Sequence, residues 1–443
     1  MTWPSIGFAG QAGIRGLRRQ DDGIGFTPDT VPERVDLLHV FARLYTFYRG
    51  DSVESAVPSS NVAMAVGEGR RLAPAIRATR LIFLAAGIGV SAWAPMVPYV
   101  KTRLGLDDAT LGLVLLAFGG GSMVSMPLVG FLTHHFGSRK VIVVGGLLTC
   151  VALPLLTLAP HALALALALL YFGAALGAVD VAMNAHAVEV ERRAARPLMS
   201  GFHGLFSIGG LGGAAGMSLL LALGASMTMA ATIVSLLLLA VVLTQWSSLL
   251  DEVAGAAHRP AFSMPRGAVF LLGFLCFISF LAEGSMLDWS AVLLRDSRGF
   301  SEASAGIGYA MFSVAMALGR LSGDRAVARF GPVLTVRFGA CAAAAGFLMA
   351  TLLAWPWASL AGFVLVGLGA ANIVPVMFGA AGRLPGTSPG IAIATVTTLG
   401  YAGLLCGPAL VGFVAHVSSL PLALAAVGAM LLLTAASARV VKS

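Results

Sequence analysis

The sequence predicts an all-α membrane protein of twelve transmembrane helices, arranged as two pseudo-symmetric six-helix halves. Three observations carry that expectation. The 443 residues are 58% hydrophobic and 11% charged, with a mean hydropathy of +0.89, whereas a soluble chain carries roughly 25% charged residues. From Arg80 onward, short polar connections alternate with apolar runs near the roughly 20 residues that a bilayer core requires. A polar stretch, Trp246 to Arg266, divides those runs six and six. In lipid each backbone N–H and C=O must be bonded within its own segment, so helices are the expected form.

Residues 1–75 mix Arg, Asp, Pro and Gly without a long apolar run, and no apolar core of a signal peptide follows the early arginines. They read as a polar N-terminal extension, disordered or mis-assigned, with the working chain starting near Met64. Within it, Glu33 to Tyr48 has apolar residues at roughly helical spacing, the pattern of a helix lying on a membrane surface. The first half then covers 76–245, with spans near 80–100, 109–132, 139–159, 162–188, 200–223 and 226–245. Residues 246–266 form a linker, and the second half, 267–443, has spans near 267–294, 303–322, 332–354, 357–380, 389–415 and 418–438.

Glycine is abundant, with 54 residues, which suits membrane helices that approach closely. In the fifth span Gly209 and Gly213, like Gly212 and Gly216, stand four apart and are expected to pack helix on helix. Cys150, Cys276, Cys341 and Cys406 each lie in apolar runs without metal-ligand spacing and read as inert thiols. The net charge of +8 does not call for a nucleic acid, because the basic residues sit between apolar runs. They are also lopsided. Arg139, Lys140, Arg192, Arg193, Arg196 and Arg383 fall on one side, and three of the opposite loops carry no basic residue. By the positive-inside rule both termini and the linker are expected in the cytoplasm.

The halves echo each other. Phe136-Gly137 follows the second span and Phe330-Gly331 follows the eighth, 194 residues later. A Gly-x-Leu precedes each, at Gly130 and Gly319. A duplicated six-helix unit is the architecture of a secondary transporter with its site between the halves near the midplane.

Gly130-Phe-Leu-Thr-His134-His-Phe-Gly137-Ser-Arg139-Lys140 resembles the loop between spans two and three of the major facilitator superfamily. The glycines and the terminal basic pair match, while His134 stands where the family has an acid that helps hold the cytoplasmic gate shut. Gly319-Arg-Leu-Ser-Gly-Asp324-Arg325 with Arg329 resembles a second copy that keeps its acid. Asp180-Val-Ala-Met-Asn184, Arg196 to His203, Ala282-Glu283-Gly284 with Asp288-Trp289, and Gly400-Tyr401-Ala-Gly403 with Gly407-Pro408 look like the bacterial inner-membrane branch related to fucose permease. The resemblance spans about residues 80–440. It implies alternating-access transport of a small polar solute, sugar-like or organic, by a multi-pass monomer of the bacterial inner membrane. The fifth span lacks the Gly-Pro-x-x-Gly-Gly signature that the family associates with antiport, which favours proton-coupled uptake.

Asp180, Glu283 and Asp288 are the acids placed within spans. A carboxylate at the bilayer centre costs roughly 2.5–3.5 kcal/mol on insertion scales, so each needs a reason, and proton coupling is the functional one. Asp180 and Asn184, four apart, share a helical face. Glu283 and Asp288 stand about 140° apart around a helix and share a face only if the helix breaks, for which Gly284 offers a point. Asn184, Asn372, Tyr401, Trp93 and Trp289 are candidates to hold a hydroxylated solute. Asparagine also serves as glue between helices and tryptophan as an interfacial anchor. His203 opens the fifth span and is expected as a cytoplasmic-end cap or turn contact, with a proton relay as the alternative. Neither a nucleophile–base arrangement, a metal motif nor a phosphate-binding loop is present, so no enzyme, metal site or cofactor is expected. Two further readings stay open: a proton-driven efflux antiporter, and a transport-inactive sensor or scaffold, for which His134 is the sequence support.

Overall fold

The computed structural model of the protein describes residues 59–106, 108–251, 267–300 and 306–442. The expected surface helix at 33–48 and most of the linker lie outside the described residues. Among those described there is no strand, and the helical unit is Met64–Ser443.

Local chemistry sets the breaks. Helix α1 (Ser59–Ser91) starts inside the polar 1–75 stretch. It passes through a 3-10 turn at Ala94–Met96 into α2 (Val97–Leu104), and together they make the first crossing. Pro95 lies in that turn and Pro98 in the first turn of α2, each lacking the N–H that an unbroken helix needs. There follow α3 (Asp108–Phe136), α4 (Ser138–Leu158), α5 (Ala162–Ala194), α6 (Met199–Ala222) and α7 (Met227–Gln245). His161 caps α5 by accepting from Ala164 N–H, and Ser226 caps α7 by accepting from Met229 N–H, at 3.2 Å each.

The second half begins with α8 (Gly267–Arg298), unbroken through Gly284. The eighth and ninth crossings run together as α9 (Ile307–Leu352), which turns at Gly331 with φ 78° and ψ 163°. Gly137, between α3 and α4, has φ 82° and ψ 152°. The duplicated Phe-Gly therefore makes the same backbone turn twice, in a region closed to residues with a Cβ. The tenth crossing is split into α10 (Pro356–Ala370) and α11 (Ile373–Arg383), and α12 (Pro389–Val417) and α13 (Leu420–Ser437) complete the chain. The split has a local cause: Pro375 has no N–H to offer Ala371 O, one helical turn back.

The halves repeat one packing pattern. In the first, α3 and α4 pack on α5, and α4 on α7; in the second, the arms of α9 pack on α10 and on α13, and α8 on α12. Across the seam α3 meets α12, α6 meets α9, and α5 meets α11 and α12. Gly209 and Gly213 seat α6 against α1: a Cβ there would stand 2.1 Å from Leu84 O and 2.4 Å from Ile88 O. Gly212 and Gly216 have nothing within 4 Å, so only one of the two expected glycine pairs makes a helix contact. The outer faces are apolar; Val124, Phe338 and Phe413 are 78%, 67% and 70% exposed. A surface of that kind belongs in lipid.

Candidate functional site between the halves

Two carboxylates, a guanidinium and several hydroxyl or amide groups meet at the seam. The spacing of Asp180 and Asn184 puts both on the inner face of α5, where Asn184 Nδ2 donates to Asp180 O at 2.9 Å and to Asp180 Oδ1 at 3.3 Å. Because the Asn184 amide nitrogen is used this way, its Oδ1 faces His203 Nε2 on α6, at 3.1 Å, as acceptor. His203 is not an end contact of α6. It is buried between Phe83 and Phe378, with ring centroids 5.3 and 5.8 Å away. Tyr401 on α12 faces Asp180 from the other half, with Phe280 against the Tyr401 ring.

Glu283 lies on α8. Its Oε2 is 3.2 Å from Arg320 Nη2 on α9, and both side chains are largely buried. Arg320 Nη1 donates to Ser207 Oγ on α6 at 3.0 Å, crossing the seam, while Ser207 donates to His203 O at 3.2 Å. Arg320 Nε reaches Ala371 O at 3.4 Å. That carbonyl is the one Pro375 leaves without its helical donor, so the split in the tenth crossing provides the arginine with an acceptor.

The remaining candidates lie elsewhere. Asp288 is exposed, because α8 continues past Gly284 as regular helix and carries it off the Glu283 face. Trp93 is buried in the apolar core at the far end of the first half, with Met96 and Leu153. Trp289 packs beside Gly412 on α12, its Nε1 buried without a partner. Asn372 joins helices: Nδ2 donates to Gly319 O at 3.1 Å, and the side chain lies over Gly323. Sequence reasoning missed Arg320 and Ser207. The available signal was an arginine in an apolar run beside a half that already held an unpaired buried acid.

At the arginine-rich end the halves are held by charge. Asp324 on α9 accepts from the Gly201 N–H of α6 at 3.0 Å. Glu191 on α5 accepts from Leu198 and Met199 N–H at 2.7 and 2.9 Å, and its other oxygen takes Arg383 Nη1 of α11 at 3.2 Å. One acid from each half thus caps the same helix N-terminus, where unsatisfied N–H groups and the helix dipole favour negative charge. A cavity of about 400 Å³ opens among these groups. The first loop copy closes differently. Gly130 and Thr133 press on Gly390 and Ala394 of α12, and His134 caps no helix; its ring lies 5.8 Å from that of His135. Arg139 turns toward the linker, 3.3 Å from Asp251 and over the Trp246 ring, while Lys140 and Arg325 are exposed and Arg329 stacks on Phe330.

Two duplicated helical halves with lipid-facing flanks and a polar cluster on their seam define a multi-pass membrane transporter. The profile of the Major Facilitator Superfamily matches residues 81–388, and the chain belongs to that family. An MFS-type transporter of Yersinia pestis, itself uncharacterized, is 50% identical over 364 residues, covering 82% of this chain and 94% of its own. FucP, a superfamily transporter solved in an outward conformation, matches with a TM-score of 0.69 at 15% identity, over 83% of this chain and 97% of its own. FucP of Escherichia coli is a fucose:proton symporter. The human organic anion transporter MFSD10 matches with a TM-score of 0.67 at 16% identity, over 82% of this chain and 98% of its own. At these identities the structural likeness is one of fold.

Proposed function

We propose that the protein takes up a small polar solute, sugar-like or organic, by alternating access coupled to protons. In this reading it lies in a bacterial inner membrane with the arginine-rich end facing the cytoplasm. The observation that carries it is the cluster of Asp180, Tyr401, Glu283, Arg320 and Ser207 on the seam, where Arg320 pairs with Glu283 and donates across to Ser207. Buried acids that change protonation with access couple proton movement to rearrangement of the halves. The charged contacts of Asp324 and Glu191 with α6 and Arg383 support closure at the cytoplasmic end, which leaves the cluster served from the other side. FucP, a fucose:proton symporter with the same fold, is consistent with this reading. The test is proteoliposomes holding the purified protein under an imposed pH gradient, offered a panel of labelled sugars, organic acids and amino acids. Accumulation of one solute with proton entry is the expected result. A panel that moves neither label nor protons overturns the proposal.

A further inference from the structure

The two buried acids differ in what balances them. Glu283 has Arg320 at 3.2 Å, and the remaining donors of that guanidinium go to Ser207 Oγ and Ala371 O. Within hydrogen-bond distance Asp180 meets only the uncharged Asn184 amide on its own helix, while Tyr401 of α12 faces it from the other half. Among the described residues no Lys or Arg lies within ion-pair distance of it. Two carboxylates therefore share one guanidinium, and Glu283 already holds it.

We propose that the two acids have separate tasks: Asp180 alone gains and loses the transported proton, while Glu283 stays ionised as the anchor that holds Arg320 on Ser207. The assignment rests on the proton-coupled reading above. Its chemistry follows from the donors. With Asp180 ionised, the Tyr401 hydroxyl donates across the seam to a carboxylate, a charge-assisted bond roughly twice as strong as a neutral one. A proton from the outer water adds to a carboxylate oxygen and the group becomes neutral. The new O–H donates to the Tyr401 oxygen, whose own O–H rotates away, and Asn184 keeps its bond to Asp180 O. Loading thus removes the charge that draws the Tyr401 hydroxyl across the seam and leaves the bond from Arg320 to Ser207 untouched. On release to the other side the ionised carboxylate reforms the strong bond and closes the seam.

The test needs no identified solute, because the probe is the proton itself. Purified protein in liposomes is titrated from alkaline to acid pH while the infrared band of protonated carboxyl groups is followed. The difference between wild type and Asp180→Asn is expected to isolate one carboxyl band that appears on acidification among those of the other acids, and the double variant Glu283→Gln with Arg320→Gln is expected to retain it. Asp180→Glu should move the band and its midpoint without abolishing it, a change that a purely structural acid would not give, and it serves if Asp180→Asn fails to fold. A difference spectrum that lacks this band, or a double variant in which it vanishes, overturns the assignment. Absence of proton movement in wild-type proteoliposomes would sink the transport reading on which this assignment rests, whereas proton movement that persists in Asp180→Asn would sink the assignment alone.

Discussion

Asp324 Oδ2 accepts from the backbone N–H of Gly201 at 3.0 Å, so an acid of the second half caps a helix of the first. The duplicated loop motif has diverged into two kinds of contact. The copy with the acid holds α6 by charge, and the copy with His134 holds α12 by the close approach of Gly130 and Thr133 to Gly390.

Removing the cap should loosen the arginine-rich end. Asp324→Ala is expected to cost the closed state about 1 kcal/mol, roughly a fivefold change in the ratio of closed to open forms. Spin labels at the exposed Arg196 and Arg329, on a cysteine-free background, would report it as a longer distance component. An unchanged distribution shows that the cap does not hold the end shut.

Arg320 and Glu283 should behave as a pair. Either Arg320→Gln or Glu283→Gln alone leaves a buried partner unbalanced and is expected to destabilise by roughly 3–5 kcal/mol. The double neutral variant should recover most of that loss in thermal unfolding of the detergent-purified protein. Additive losses in the double variant would mean that the 3.2 Å contact contributes no coupling.

The glycines of α6 separate into two classes. Gly209→Ala and Gly213→Ala push a methyl into the Leu84 and Ile88 carbonyls and should cost about 1–3 kcal/mol through displacement of α1. Gly212→Ala and Gly216→Ala enter open space and should be neutral or slightly stabilising. Melting temperatures of the four variants check this, and equal losses at all four positions contradict it.

His186 pins the start of the linker. Its Nε2 accepts from Leu250 N–H at 3.0 Å, and its Nδ1 lies 3.2 Å from Thr79 Oγ1, which donates onward to Ala75 O. His186→Phe keeps the bulk but strands the Leu250 N–H, at a cost of about 1–3 kcal/mol. Faster hydrogen exchange across 246–251, with α5 itself unchanged, is the expected readout. Protection equal to wild type would show that water replaces the histidine without loss.

The crossings, the division into halves and the lopsided charge are legible in the order of residues alone, because each is a local property. An apolar run long enough to span lipid must be helical, and Phe-Gly at 136–137 and 330–331 imposes the same turn wherever it stands. The residue order also determined that Asp180 and Asn184 look the same way, since four residues close one helical turn. Only the tertiary structure decided the partners. Arg320 lies 37 residues from Glu283 and 113 from Ser207, and the order of helices around the bundle brings these three together. The same ordering left Asp288 exposed, sent Trp93 into an apolar core away from the seam, and placed Asp324 on a helix 123 residues away. Helix formation follows from what surrounds each peptide group along the chain, whereas the pairing of buried charges depends on which faces the folded bundle turns toward each other.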